Sequence, residues 1–419
     1  MLQLTADEKA ILNSKIGSAG DNMALNIVVK AAEMLGASRL VDITSSHIDG
    51  CLYHGDSGVL FCETLAKNGA KTKVPTTTNV GALNLIKTNQ ARLSSEKLQM
   101  AQRLMDAHVN IGCTPSWTCA PYQIGARPKR GEQVAWGESN AVAFANTVLG
   151  ARTNRYGDFL DIACAISGKA PYYGLHCSKN RRAEILLDVT GLPKEVKEED
   201  TFFPVLGSLI GRLAGDSICA VSGITNIVSE DQLKALCAAA ASTGAVGLVH
   251  IIGITPEAID LEHAFDNQRP RTILSIDMDM MKEAFHKLSQ TKQEGSIDCV
   301  ALGSPHFSIS ECKQLLEASE EKNFKVPVYV CTNRHTVQAL KAENIYTKLE
   351  KLGVIFIVDT CVVVTPILPG TGGIMMTNSA KFAHYSSGNT GYRPIFGSLV
   401  DCIKSAQNGS ATLNYGPWK

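Results

Sequence analysis

From Phe202 onward the chain alternates short apolar runs with helical stretches, and this alternation limits the possible folds more than any other feature. The runs SICAVSGI, AVGLVHIIGI, SIDCVALGS, KVPVYVCTN and GVIFIVDTCVVV lack the polar alternation of a half-solvated strand. Strands of this kind are buried on both faces, which parallel sheets achieve by covering themselves with helices. SEDQLKALCAAAAST, ISECKQLLEASEEK and TVQALKAENIYTKLEKLG supply helices between them. The expected class is α/β: parallel sheets with helices on both faces, in several layered subdomains.

The first half carries fewer clear strands. Thr5–Ala10 reads as a capped helix, Ala19–Leu35 as a second, and Leu40–Thr44 (LVDIT) as a buried strand. Ser45 to Gly58 (SSHIDGCLYHGDSG) then reads as a loop at that strand's carboxyl end, where open α/β sheets collect ligands. Val59–Asn68 and Glu96–His108 read as helices, KVPTTTNV as strand-like, and FLDIACAISGKAPYYGLH as a helix, a glycine stop and a strand at YYGLH. Lys179–Asp200 is the most charged and least periodic region, so a boundary is expected there. It separates residues 1–195, with the Cys119 loop, from residues 196–419, with Ser304, Cys361 and the TNSAK loop.

Between Cys113 and Arg155 the chain gathers two thiols, Glu138, Ser139, Asn140, Arg152, Asn154 and Arg155, with very little lysine. A solvated face would favour Lys and Glu, so this reads as a lined cavity; a buried helix with two polar ends fits as well. Elsewhere composition mainly excludes. A length of 419 residues leaves room for two or three domains. Forty basic and forty acidic residues cancel, so no field attracts nucleic acid or an anionic membrane surface. No run of eighteen apolar residues or secretory signal is apparent. The thirteen cysteines are scattered through apolar runs, which suits a reducing, cytoplasmic setting better than a disulfide framework.

Three segments hold residues that bear chemistry at strand ends. Ser304 follows DCVAL in GSPH, and Cys361 follows GVIFIVDT in an equivalent position. With Cys119 from its Pro-rich loop they could converge on one metal centre, as thiolates from separate segments do in iron–sulfur sites. For any single cysteine, burial in the core is the commoner explanation, and spacing alone establishes no metal. LPGTGG at Leu368–Gly373 can present backbone N–H groups to an anion but lacks the lysine of a nucleotide loop.

Taken in order, SSHIDGCLYHGDSG, KVPTTTNV, TCAPYQIGARPKRGEQVAWGESNAVAFANTVLGARTNR, ALGSPHFS, the strand ending at Cys361, and GIMMTNSAKFAHY resemble the aconitase X family over nearly the whole chain. The resemblance implies an aconitase-like α/β fold and a cytosolic hydro-lyase that holds an iron–sulfur cluster and dehydrates a β-hydroxy acid. The family's phosphate-using branch, the mevalonate 5-phosphate dehydratases, has a cysteine in its GSPH-equivalent motif. Here Ser304 stands there, which favours the cis-3-hydroxy-L-proline branch, a pyrroline-2-carboxylate product and a 2Fe–2S cluster. Cys119, Ser304 and Cys361 are the implied ligands, with Cys51 and Cys113 as alternatives. Ser46, His47, His54 and Lys381 are candidate acid/base groups. Thr77, Glu138, Ser139, Arg152, Asn154, Asn378 and Ser379 are candidate substrate contacts. The length implies a separately encoded small swivelling subunit as partner. A non-enzymatic iron–sulfur RNA-binding protein, also known in the superfamily, is disfavoured by the neutral charge.

Overall fold

The computed structural model describes residues 2–419 except Asn226 and Gln293, and leaves aside the side chain of Thr88. The chain divides into two compact units, residues 1–83 with 91–182, and residues 84–90 with 183–419. The division falls inside the charged Lys179–Asp200 region.

The first unit contains β1 (Leu40–Asp42), β2 (Ser46–Ile48), β3 (Thr76–Thr78), β4 (Ala135–Trp136) and β5 (Lys169–Pro171). Its central sheet is parallel, in the order β3-β2-β4, and β1 pairs antiparallel with β5. The opening helix, Ala6–Leu12, starts where expected because Thr5 and Glu8 form a reciprocal capping box, an arrangement worth about 1 kcal/mol. Ser45–Gly58, expected as a loop, instead contributes β2, the fully buried middle strand, and the start of helix Asp56–Lys67. Ser and His are poor strand formers. Pairing on both sides and burial of Ser46, His47 and Ile48 override that preference. The strand near residue 170 is β5, whereas Gly174–His176, expected as strand, forms a 3-10 turn.

The second unit holds two all-parallel sheets. One comprises β6 (Ile185–Asp188), β7 (Cys219–Ser222), β8 (Val249–Ile251) and β9 (Thr272–Ser275), in the order β8-β7-β6-β9. The other comprises β10 (Cys299–Leu302), β11 (Val328–Thr332), β12 (Val354–Val358), β13 (Gly373–Thr377) and β14 (Tyr392–Phe396), in the order β12-β11-β10-β13-β14. Alternate residues of these five strands feed two cores. Val300, Leu302, Val328 and Val330 pack with helices Ile309–Ala318 and Leu399–Asn408, whereas Ala301, Tyr329 and Cys331 pack with Phe382 of helix Ala380–Thr390. This is the doubly covered sheet that the apolar runs predict.

Helices Phe202–Ala214 and Glu230–Thr243 cross closely in this unit, and Gly207 makes the approach possible. A Cβ there would stand 2.4 Å from the Leu236 carbonyl oxygen. TVQALKAENIYTKLEKLG, expected as one helix, is two, Arg334–Ala342 and Ile345–Leu352, because Asn344 takes a left-handed φ of 58°. Strand β12 stops at Val358, short of Cys361, where Asp359 turns the chain at φ 67°. Among the described residues, no helix is long and apolar enough to cross a membrane.

Candidate active site

In the first unit the polar groups gather round β2. His47 is fully buried, with its Nδ1 2.8 Å from Thr77 Oγ1 on the adjoining strand. The Thr77 hydroxyl also reaches the Ser46 carbonyl, at 3.4 Å. The other imidazole nitrogen, Nε2, is buried without a hydrogen-bond partner. Burial pushes His47 down to about 4, against the pull of nearby Glu138, so the ring is neutral at neutral pH. Trp136 lies beside it, ring centroids 5.7 Å apart.

Carboxyl groups cluster near this histidine: Glu138 acts on both His47 and Asp49, and Asp161 acts on Asp49. The Asp49 N–H donates to Asp161 Oδ2 at 2.6 Å, the Ile162 N–H to Asp161 Oδ1 at 2.7 Å, and the Asn79 amide to Asp49 Oδ1. Burial, with Glu138, Asp158 and Asp161 close by, pushes Asp49 up to about 7, and burial lifts Asp161 to about 7 as well. Glu138 caps helix Ser139–Thr147, accepting the Ala141 N–H at 2.6 Å, and the Ser139 hydroxyl donates to Glu138 at 3.3 Å.

Of the other expected residues of this unit, Cys51 and Cys113 adjoin Asp161. The Ser46 hydroxyl donates to the Ala135 carbonyl at 2.6 Å and so stitches β2 to β4. His54 is exposed ahead of helix Asp56–Lys67. Arg152 donates to Ser178 Oγ at 2.5 Å while its Nε is buried without a partner, and Asn154 bonds the backbone at Tyr173 and Leu175. Cys51 and Cys113 are near neighbours in the core, and burial pushes both thiols up. Cys119 is buried in a loop running beside β3, where the Thr118 N–H donates to the Thr78 carbonyl at 3.1 Å. Its own carbonyl accepts from Asn140 Nδ2 at 3.1 Å.

In the second unit the loops after β10 and β13 face one another. Gly303 is required: its φ is 92°, and a Cβ would stand 2.1 Å from the Cys331 carbonyl oxygen. Ser379 donates to the Ser304 carbonyl and also caps helix Ala380–Thr390 by accepting the Phe382 N–H at 3.1 Å. Ser304, Asn378, Ser379 and Lys381 line a cavity of about 350 Å³, together with Asp231, Lys234 and Glu311. Ligand pockets in parallel sheets form where neighbouring strands send their connections in opposite directions; β10 and β13 are such a pair.

Cys361 stands in the turn after β12, close to this loop, since His306 Nε2 lies 3.4 Å from the Thr360 carbonyl. A hydrogen bond from the Cys331 thiol, the N–H groups of Val363 and Val364 and the charge of Lys381 together hold the Cys361 thiol below its ordinary value, though burial opposes them. Burial drives Cys51, Cys164, Cys299 and Cys402 the other way. A thiol biased toward thiolate is what an iron–sulfur ligand requires, so Cys361 fits such a group. Ser304 offers only a hydroxyl, a weaker donor. Asp161, Asn79, Lys234 and Cys331 escape sequence reasoning, because their partners are remote in the chain or lie inside apolar runs.

Three comparisons bear on identity. The family models for the aconitase X first, second and third domains match residues 1–179, 183–286 and 297–408. A cis-3-hydroxy-L-proline dehydratase of Hypocrea jecorina is 40% identical over 97% of this chain and 69% of its own length. One from Pseudomonas aeruginosa is 38% identical over 99% of this chain and 72% of its length. The phosphomevalonate dehydratase large subunit of Methanocaldococcus jannaschii is 33% identical over 96% of this chain and all of its own. The crystal structure of Thermococcus kodakaraensis aconitase X in its holo-form superposes with a TM-score of 0.86 at 29% identity, covering 97% of this chain and 100% of that one. On fold, domain matches and near full-length relatives alike, the chain belongs to the aconitase X family of hydro-lyases.

Proposed function

We propose that the chain is the catalytic body of a cis-3-hydroxy-L-proline dehydratase, removing water to leave a pyrroline-2-carboxylate. The observation that carries this choice is the carboxyl cluster of Asp49, Asp161 and Glu138 round His47. A phosphorylated substrate brings close to two negative charges, about −1.5 to −2 at neutral pH, and needs strong cationic donors. A zwitterionic imino acid carries a cation, which these acids attract in their ionised form. With Asp49 and Asp161 at about 7, that form is available at neutral pH. Relatives named for hydroxyproline dehydration at 40% and 38% identity support the same choice.

The reaction needs a base for the α-proton, a clamp for the carboxylate and help for the departing hydroxyl. We assign the acid/base role to His47, whose buried Nε2 is free and whose Nδ1 is held by Thr77. Ser46 and His54 are weaker candidates, one bonded within the sheet and the other exposed. Lys381, Asn378 and Ser379 form the polar wall proposed to hold the carboxylate.

An iron–sulfur cluster belongs to this family, and when bound it supplies a Lewis-acid site for the hydroxyl. We propose Cys361 and Cys119 as thiolate ligands, Ser304 as the third position, and a 2Fe–2S composition. A cytoplasmic location is part of the same proposal: all thirteen cysteines are free and buried. So is a small partner subunit, since relatives named as large subunits match this chain along nearly their whole length. The test is kcat/KM for cis-3-hydroxy-L-proline against mevalonate 5-phosphate, with the cluster reconstituted and the partner present. A preference for the phosphorylated compound overturns the substrate choice.

A further inference from the structure

Lys234 is buried to 2% exposure in the Ala-rich helix Glu230–Thr243. Its ammonium donates to Asp231 Oδ1 at 2.8 Å and to Glu311 Oε2, and lies 3.4 Å from the His306 carbonyl oxygen. Both acids hold the same loop from its far end. The Ser308 hydroxyl donates to Asp231 Oδ2 at 2.8 Å, and the Ser308 N–H donates to Glu311 Oε2 at 2.8 Å.

A buried ion set is a poor device for stability alone, because apolar residues of the same volume usually do as well or better. The same helix packs with alanine at 238–241 where only packing is needed. What the charge provides here is fixed geometry. Lys234 ties helix Glu230–Thr243 to the middle of the Gly303–Ser308 loop, and its two acids tie the loop's end. Ser304 and Lys234 line one cavity.

We propose that Lys234, paired with Asp231 and Glu311, is a positioning residue that orders the Gly303–Ser308 loop and so sets how Ser304 is presented to the cavity. Its consequence for turnover rests on the dehydratase reading; the ordering of the loop does not.

Lys234→Met alone strands two carboxylates. The informative companion is the triple variant Lys234→Met/Asp231→Asn/Glu311→Gln, which removes them. Hydrogen–deuterium exchange on the full chain compares the 303–308 peptide, where the Phe307 N–H is bonded to the Cys331 carbonyl at 2.9 Å, with the β7 peptide at Cys219–Ser222. A general loss of stability speeds both peptides, so their ratio is the readout. We expect the triple variant to exchange the loop roughly tenfold faster relative to β7. Its kcat should fall roughly 10- to 100-fold, with KM changed much less. An unchanged exchange ratio in the triple variant overturns the proposal. Should the wild type turn over no hydroxyproline, the functional reading fails while the exchange ratio still decides Lys234.

Discussion

Arg334 grips Asp359 along both carboxylate oxygens, Nε to Oδ1 at 2.6 Å and Nη2 to Oδ2 at 2.8 Å. Asp359 is fully buried, sits at a left-handed φ of 67°, and stands two residues before Cys361. Its Oδ2 also accepts the Leu85 N–H at 3.2 Å. Arg334→Met would leave a buried carboxylate with one backbone donor. The Arg334 side chain is 41% exposed, so water recovers part of the loss and the expected cost is about 1–3 kcal/mol. Urea unfolding measures it. Arg334→Lys should restore only part, since lysine cannot reproduce the two-pronged contact.

His47 makes one distinct contribution to the pH dependence of the first unit, which the His47→Gln comparison isolates. An unfolded chain takes up a proton near the ordinary value of 6.5, whereas the folded ring does so only near 4. The histidine's contribution is therefore complete above pH 6.5, shrinks as pH falls toward 4, and levels off below. Over that window wild type should lose about 3 kcal/mol more than His47→Gln, which has no such proton. Denaturant melts of both proteins between pH 4 and 7.5 test this. A constant difference across the range would count against a buried neutral His47.

Cys361→Ala should abolish the visible absorbance of anaerobically reconstituted protein and lower its bound iron. Cys51→Ala should leave both unchanged, because burial pushes that thiol up and holds it protonated. Equal iron content in wild type and Cys361→Ala would remove Cys361 from the ligand set.

Turnover should rise when the proposed small subunit is added. Size-exclusion chromatography of the mixture and kcat/KM with and without the partner report this together. Full activity of the isolated chain, with no gain on mixing, would dispose of the partner.

Five strands of the second unit were readable because they are apolar on both faces, as Cys299–Leu302 and Val328–Thr332 are. Strands β6, β9, β13 and β14 carry no comparable run, and β9 is largely exposed. The first unit was less readable. Its middle strand is Ser-His-Ile, and only the flanking strands make a strand of it. The GSPH loop stood out because it follows an apolar strand and TNSAK because it gathers polar side chains, and the cavity does bring together Ser304, Asn378, Ser379 and Lys381. Arg152 and Asn154 looked like substrate ligands beside a polar helix, but their hydrogen bonds go to the 173–178 segment. Lys234 could not be found from sequence. A lone lysine in an alanine-rich helix reads as solvated, and one of its partners lies 77 residues away.

The burial of every cysteine has a practical consequence. Alkylating reagents attack thiolates, and most of these thiols are both shielded and held protonated. Slow labelling by a maleimide, followed by peptide mass spectrometry, therefore records which segment breathes and how often. Cys51, Cys62 and Cys113 would report on the first unit, Cys299, Cys312 and Cys402 on the second. The native chain thus carries probes for local opening in both units without any introduced label.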